Sequence, residues 1–157
     1  MSRVHFEVKG KEVYTGSMRV RVSDINYGGH LGNDSVLTLC QEARVRFFES
    51  LGYSEVNFFG CGIIMSDAMV MYRSEGRLGD TMSIRIYIDD VEKFGFDMYY
   101  VLSVPEESRE RPQKDFEGPR ESKNREIARV KTGIVFFDYE KRRIARCPKE
   151  FLEKFNP

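Results

Sequence analysis

The chain has 157 residues, with 25 Lys+Arg against 25 Asp+Glu, 41% hydrophobic and 13% aromatic. That length predicts one domain over residues 1–157 that can bury a core without staples, and the composition excludes a disordered chain. A net charge of zero gives no bulk attraction to nucleic acid or to an anionic membrane.

No apolar run approaches the roughly 18 residues of a membrane span. The first ten residues mix Arg3, His5, Glu7 and Lys9 with isolated apolar positions, which is not the pattern of a signal peptide. His5 reads as a surface residue. Cys40, Cys61 and Cys147 are odd in number and widely spaced. They predict reduced thiols in a cytoplasmic setting, and no metal site, since His5 and His30 are the only other soft ligands.

Met18, Val20 and Val22 alternate with Arg19, Arg21 and Ser23, which predicts a half-buried strand within residues 12–25. A loop follows, because Gly28, Gly29 and Gly32 suit a tight turn and not a strand. Asn33, Asp34 and Ser35 can cap a helix. Val36, Leu39, Cys40, Ala43 and Phe47 then recur at helical spacing, widened by Leu37, Phe48 and Leu51. The stripe is too wide for a surface helix, so this helix of about 19 residues, roughly 28 Å long, is predicted to be deeply buried up to a stop at Gly52. Cys40 lies on that stripe as a core residue.

The period then changes to two. Met65, Asp67, Met69 and Met71 form one face of a strand, with the methionines as core or acyl-pocket lining. Met82, Ile84, Ile86 and Ile88 mark a second strand, Phe96 to Val104 a third, and Val130, Thr132, Ile134 and Phe136 a fourth. Gly79-Asp80 and Lys93-Phe94-Gly95 are turns. Glu106 to Arg125, rich in charge, Pro and Ser, predicts a solvated mobile hairpin loop or, as the sharper alternative, a partner- or phosphate-binding flap. The expected class is α+β: one buried helix against a curved antiparallel sheet of about five strands. One helix leaves sheet edges uncovered, which predicts a homodimer or a dimer of dimers.

The order of these pieces resembles the hotdog-fold acyl-CoA thioesterases, in particular the 4-hydroxybenzoyl-CoA thioesterase-like group. The matching stretches are Arg21 to Asn26 running into Gly29-His30, Gln41 to Arg44 with Phe47 to Gly52, Met71-Tyr72-Arg73, Gly79-Asp80-Thr81, and Ile127-Ala128-Arg129 leading to Phe136-Phe137-Asp138. Together they cover about residues 12–150. The resemblance implies hydrolysis of an acyl thioester carried on coenzyme A or acyl carrier protein, with no cofactor and with the pantetheine at a dimer interface. It places the family's Asp-x-Asp signature on Asp24 and Asn26. In active relatives the second position is the carboxylate that attacks the thioester or activates water; Asn26 can do neither. The region is also similar to plant acyl-ACP thioesterases, which use an acid, an Asn, a His and a helical Glu. Here His30 and Glu42 match, while Asn26 stands at the acid's place and Gly28 at that of the Asn.

Hydrolysis needs an activated water, an oxyanion site and room for the acyl group. His30 is a candidate base, because an imidazole titrates near neutral pH. The alternative is a turn-stabilising donor. Glu42 is a candidate to orient His30 or to act as base itself, or else a helical carboxylate paired with Arg46 four residues on. Asp24 is either catalytic or a backbone brace, and Asn26 a positioner of water or carbonyl. The oxyanion is expected at the N–H groups of Gly32 and Asn33 at the helix start. Arg73, Lys93, Arg129 and Lys131 are candidates for the phosphates of coenzyme A, or solvated sheet charges. Tyr27, Gly28, Met65 and Phe94 complete the substrate-binding candidates. A non-catalytic acyl-CoA-binding protein and a hotdog hydratase or dehydratase are the competing functions.

Overall fold

Alternating apolar residues do pair into strands, and they form a single antiparallel sheet. A computed structural model describes residues 1–105 and 124–156. β1 (Lys11–Arg19), β2 (Gly62–Tyr72), β3 (Thr81–Asp89), β4 (Gly95–Pro105) and β5 (Asn124–Asp138) lie in the order β1-β3-β4-β5-β2, and the short β6 (Arg143–Ile144) pairs with β5. One 3-10 turn (Val22–Asp24) and α1 (Asn33–Ser50) separate β1 from β2, and α2 (Lys149–Phe155) follows β6. The class is α+β, as expected. The connection expected from Glu106 to Arg125 lies outside the described residues, apart from Asn124 and Arg125, which begin β5.

The wide apolar stripe explains the position of α1. Val36, Leu39, Cys40, Ala43, Phe47 and Phe48 are each no more than 2% exposed. They face the inward row of the sheet, where Met82, Ile84, Ile86, Met98, Tyr100, Leu102 and Val130 are fully buried. Burying each such large side chain contributes about 1.5–3 kcal/mol, so α1 is held by the sheet more than by its own propensity. Arg44 also lies on the buried face, 7% exposed. Its Nε donates to Glu55 at 2.6 Å and its Nη1 to the Tyr100 hydroxyl at 3.3 Å, which supplies the partners a buried charge requires. Among the described residues no helix is long and apolar enough to cross a membrane.

The first strand ends at Arg19, and Val22, expected on its buried face, lies in the 3-10 turn, 73% exposed. Two further expectations change. β2 starts at Gly62, and a bulge falls between Met65 and Asp67. The bulge splits the single face expected from the sequence. Met65 pairs with inward-facing Ile134 and Met69 with Lys131 on the other face. Both methionines lie on an edge strand, 49% and 40% exposed, so neither is core. The second change is α2, which periodicity did not reveal because seven residues carry too few repeats to register.

Phe151 of α2 is fully buried. It packs against Phe58, Phe96 and Phe136 at ring-centroid distances of 5.8, 4.6 and 5.2 Å. Phe58 also stacks on Phe48 of α1 at 4.0 Å, so this one ring joins both helices to the sheet. Phe58→Ala is expected to cost about 3–5 kcal/mol and to lower Tm by roughly 10 °C, read by circular dichroism melting. A loss of only a degree or two would show that the cluster closes over the missing ring.

Candidate active site

The loop before α1 is built by its own backbone. The Asn26 N–H donates to His30 O at 2.8 Å and the Gly29 N–H to Asn26 O at 3.0 Å, while Ile25 and Leu31 form an isolated bridge across the loop. Gly29 has φ +76°, a conformation that favours glycine. The Asn26 side chain closes the turn from within, its Oδ1 accepting the N–H groups of Gly28 at 2.9 Å and His30 at 3.3 Å, as asparagine does in Asx turns.

A second loop, joining β2 to β3, lies against the first. The Leu31 N–H donates to Gly76 O at 2.8 Å, and His30 bridges Arg77. A glycine at 76 suits the contact, because a Cβ there would stand 3.1 Å from the Leu31 Cβ, which would have to give by a few tenths of an ångström. The second loop is fastened to β5. The N–H groups of Arg73 and Ser74 donate to Ile127 O at 2.8 and 3.1 Å. Arg125 Nη1 donates to Glu75 O at 2.6 Å and to Ser74 Oγ at 3.0 Å.

Between the loops and the start of α1 is an open cleft of about 290 Å³, lined by Asn26, His30, Asn33, Tyr72, Arg73 and Glu75 among others. His30 Nε2 lies 3.3 Å from Glu75 Oε2. The Tyr72 hydroxyl donates to Asn33 O at 3.0 Å, and burial raises its pKa, with Asp34 adding to the effect.

Four residues singled out in the sequence, Asn26, His30, Asn33 and Arg73, therefore share one cleft. Glu42 does not join them. Its carboxylate accepts from Arg46 Nε at 2.8 Å, on a helix position about 13 Å along the axis from Asn33. Of the two expected oxyanion donors, Gly32 is withdrawn, since its N–H donates to Asp24 O at 2.9 Å. The Asn33 N–H has no acceptor among the described residues. Asp24 is a brace, 3% exposed, accepting from the Arg21 N–H at 2.8 Å and from its guanidinium at 3.1 and 3.2 Å.

The remaining substrate-binding candidates are dispersed. Tyr27 stands fully exposed on the loop tip beside Gly28. Met65, Lys93 and Phe94 lie toward the other end of the sheet, roughly 20–30 Å away along the strands; Phe94 O accepts the Phe136 N–H at 2.9 Å there. Lys93 sits over the Phe94 ring, 5.1 Å from its centroid. Lys131 is held between Asp67 at 3.0 Å and Asp97 at 2.9 Å, and Arg129 between Glu126 and Glu7. Both are already neutralised. Arg73 makes no side-chain ion pair among the described residues. Tyr72 and Glu75 are the cleft residues that the sequence reading missed. Tyr72 falls in the Met71-Tyr72-Arg73 stretch without a role assigned to it and Glu75 falls in no motif; the meeting of the two loops brings both to the His30 cleft.

The family model described as the thioesterase-like superfamily matches residues 20–155. No match is found among curated proteins. Solved structures share the hotdog arrangement. A 1,4-dihydroxy-2-naphthoyl-CoA thioesterase from Synechocystis is 19% identical with a TM-score of 0.71, over 90% of this chain and 94% of that one. A 4-hydroxybenzoyl CoA thioesterase variant, complexed with 4-hydroxybenzoyl CoA, is 16% identical with a TM-score of 0.71, over 91% and 98%. A gentisyl-coenzyme A thioesterase is 17% identical with a TM-score of 0.66, over 87% and 97%. At these identities the likeness is one of fold.

The Asp24 brace makes the loop pH-sensitive. Hydrogen bonding from Arg21 lowers the Asp24 pKa below its usual value, with burial opposing. A depressed carboxylate contributes stability that is complete above the unfolded value near 3.9 and is lost as pH falls through the lower folded value. Asp24→Asn is therefore expected to be less stable than the wild type at neutral pH, with the difference closing in strong acid, as measured by denaturant midpoints across pH. A difference unchanged down to about pH 2 would mean that the Asp24 charge does not hold the turn.

Proposed function

This chain belongs to the thioesterase-like superfamily and its chemistry is thioester hydrolysis; from that premise we propose that the His30 cleft hydrolyses acyl-CoA thioesters to the free acid and thiol. The observation that carries this is the meeting, in one open cleft, of an imidazole with a cation and a helix-start N–H that have no partner among the described residues. His30 takes a proton from water as the water oxygen adds to the thioester carbonyl carbon. The Asn33 N–H, aided by the dipole of α1, receives the oxyanion. The tetrahedral adduct then expels the thiolate by breaking the C–S bond, and the imidazolium returns the proton to sulfur. Water and thioester become acid and thiol, with no metal or cofactor in the scheme. Arg73 is the cation in this cleft for a phosphate or the pantetheine amides of the carrier.

Asn26 holds the loop through Oδ1, a role that an aspartate oxygen can also fill. This explains how the position departs from the family's acid without loss of the turn. The working form in this proposal is a homodimer, or a dimer of dimers. Its support is β2, an eleven-residue edge strand with Ile64, Met65 and Met69 exposed, an arrangement that invites pairing with a second copy. The setting proposed is the cytoplasm, consistent with three free cysteines.

Release of free thiol from benzoyl-CoA and hexanoyl-CoA tests the reading. His30→Ala is expected to lower kcat by about 10²-fold, and Asn26→Asp to leave it unchanged or raise it. Wild-type turnover by folded His30→Ala removes His30 as the base, and tight acyl-CoA binding without thiol release makes the chain a binding module. Light scattering at micromolar concentration is expected to give at least a dimer; a stable monomer contradicts the assembly.

A further inference from the structure

The carboxylate that faces His30 is Glu75, and it comes from the β2–β3 connection. Its Oε2 lies 3.3 Å from His30 Nε2. That is just beyond an ordinary N–H···O distance, the kind of separation that closes when substrate is bound. The backbone on which Glu75 stands is pinned. Its carbonyl accepts from Arg125 at 2.6 Å, the preceding Ser74 Oγ donates to Glu126 O at 2.6 Å, and the following Gly76 carbonyl accepts the Leu31 N–H at 2.8 Å. The carboxylate thus projects from a fixed point, next to the residue it faces. Nδ1 lies on the other edge of the ring, 3.9 Å from where a Gly28 Cβ would be and so on the Asn26–Gly28 side of the loop.

We infer that Glu75 is the positioning residue for His30: it draws the imidazole proton to Nε2 and leaves Nδ1 as the basic nitrogen facing the Asn26 side of the cleft. The inference rests on reading His30 as the base, and it gives Glu75 the orienting role that the sequence suggested for Glu42. An imidazole has one N–H and one lone pair when neutral, so whichever nitrogen meets a carboxylate carries the proton. As the ring accepts a proton from water at Nδ1, the same carboxylate stabilises the imidazolium, and it gives up no proton of its own. The benefit appears as charge develops, so it acts on kcat more than on binding.

Two measurements on the full chain decide it. The first is the nitrogen NMR spectrum of the His30 ring at about pH 8, above the ordinary imidazole range. Assignment is direct, because the chain has only two histidines and His5→Gln removes the other. The wild type is expected to show the Nε2–H tautomer, with Glu75→Gln shifting the ring toward a mixture. An Nδ1–H ring in the wild type, or a tautomer unchanged in Glu75→Gln, overturns the inference whether or not the chosen thioesters are turned over. The second is thiol release from benzoyl-CoA and hexanoyl-CoA. Glu75→Gln is expected to lower kcat by about tenfold or more with KM within about twofold, and Glu75→Asp to recover part of the loss. Adding Glu75→Gln to His30→Ala should cost nothing further. Wild-type kcat in Glu75→Gln beside a disabled His30→Ala refutes Glu75 and leaves His30 as base. Full activity in His30→Ala refutes the His30 reading itself.

Discussion

The cleft depends on the path of one connection across the end of the sheet. β2 and β3 are consecutive in the chain but separated in the sheet by β5 and β4. The eight residues between Tyr72 and Thr81 therefore have to cross the ends of two strands. They meet the glycine loop where α1 begins, and the Leu31 N–H to Gly76 O contact at 2.8 Å fixes the meeting. Each neighbouring feature follows from it. A side chain at Gly76 would crowd Leu31, Arg125 holds the crossing stretch of backbone, and His30 is left facing residues far from it in sequence. The burial of α1 against the sheet sets the other wall, because the helix cannot move without exposing Phe47 and Phe48.

Much of the scaffold was legible in the chain for a physical reason. Strict alternation over Met82, Ile84, Ile86 and Ile88 arises when one sheet face is buried, and these residues are at most 5% exposed. The width of the α1 stripe likewise announced a buried helix. Arg44 could not be read in the same way. It follows Cys40 at helical spacing, but a charge on that face needs Glu55, eleven residues on, and pattern alone does not supply a partner. The β2 bulge escaped notice because one inserted residue changes phase without changing composition. Within the site, Asn26, His30 and Asn33 were found because they lie on one glycine-rich loop and the helix it precedes. Glu75 and Tyr72 were missed because their proximity is created by the fold. Glu42 was chosen for its spacing, and the Arg46 contact four residues on illustrates how ordinary that spacing is on a helix.

Charge pairing separates the cleft from the sheet face that carries Lys131 and Arg129. Lys131 and Arg129 lie on the sheet among carboxylates that already satisfy them. Such pairs contribute little to stability when water reaches them, but they do leave those cations occupied. The cleft combines the Arg73 guanidinium with the Asn33 N–H, which has no acceptor among the described residues, at the start of α1, where an oxyanion is favoured.

The most direct measurement is a crystal structure with a thioether analogue of benzoyl-CoA, which keeps the carrier and acyl group but cannot be hydrolysed. The acyl carbon nearest sulfur is expected in the cleft between His30 and the Asn33 N–H, with Arg73 against the carrier. An acyl group seated instead beside Glu42 and Arg46, with the His30 cleft empty, would contradict the assignment of the reaction to this site.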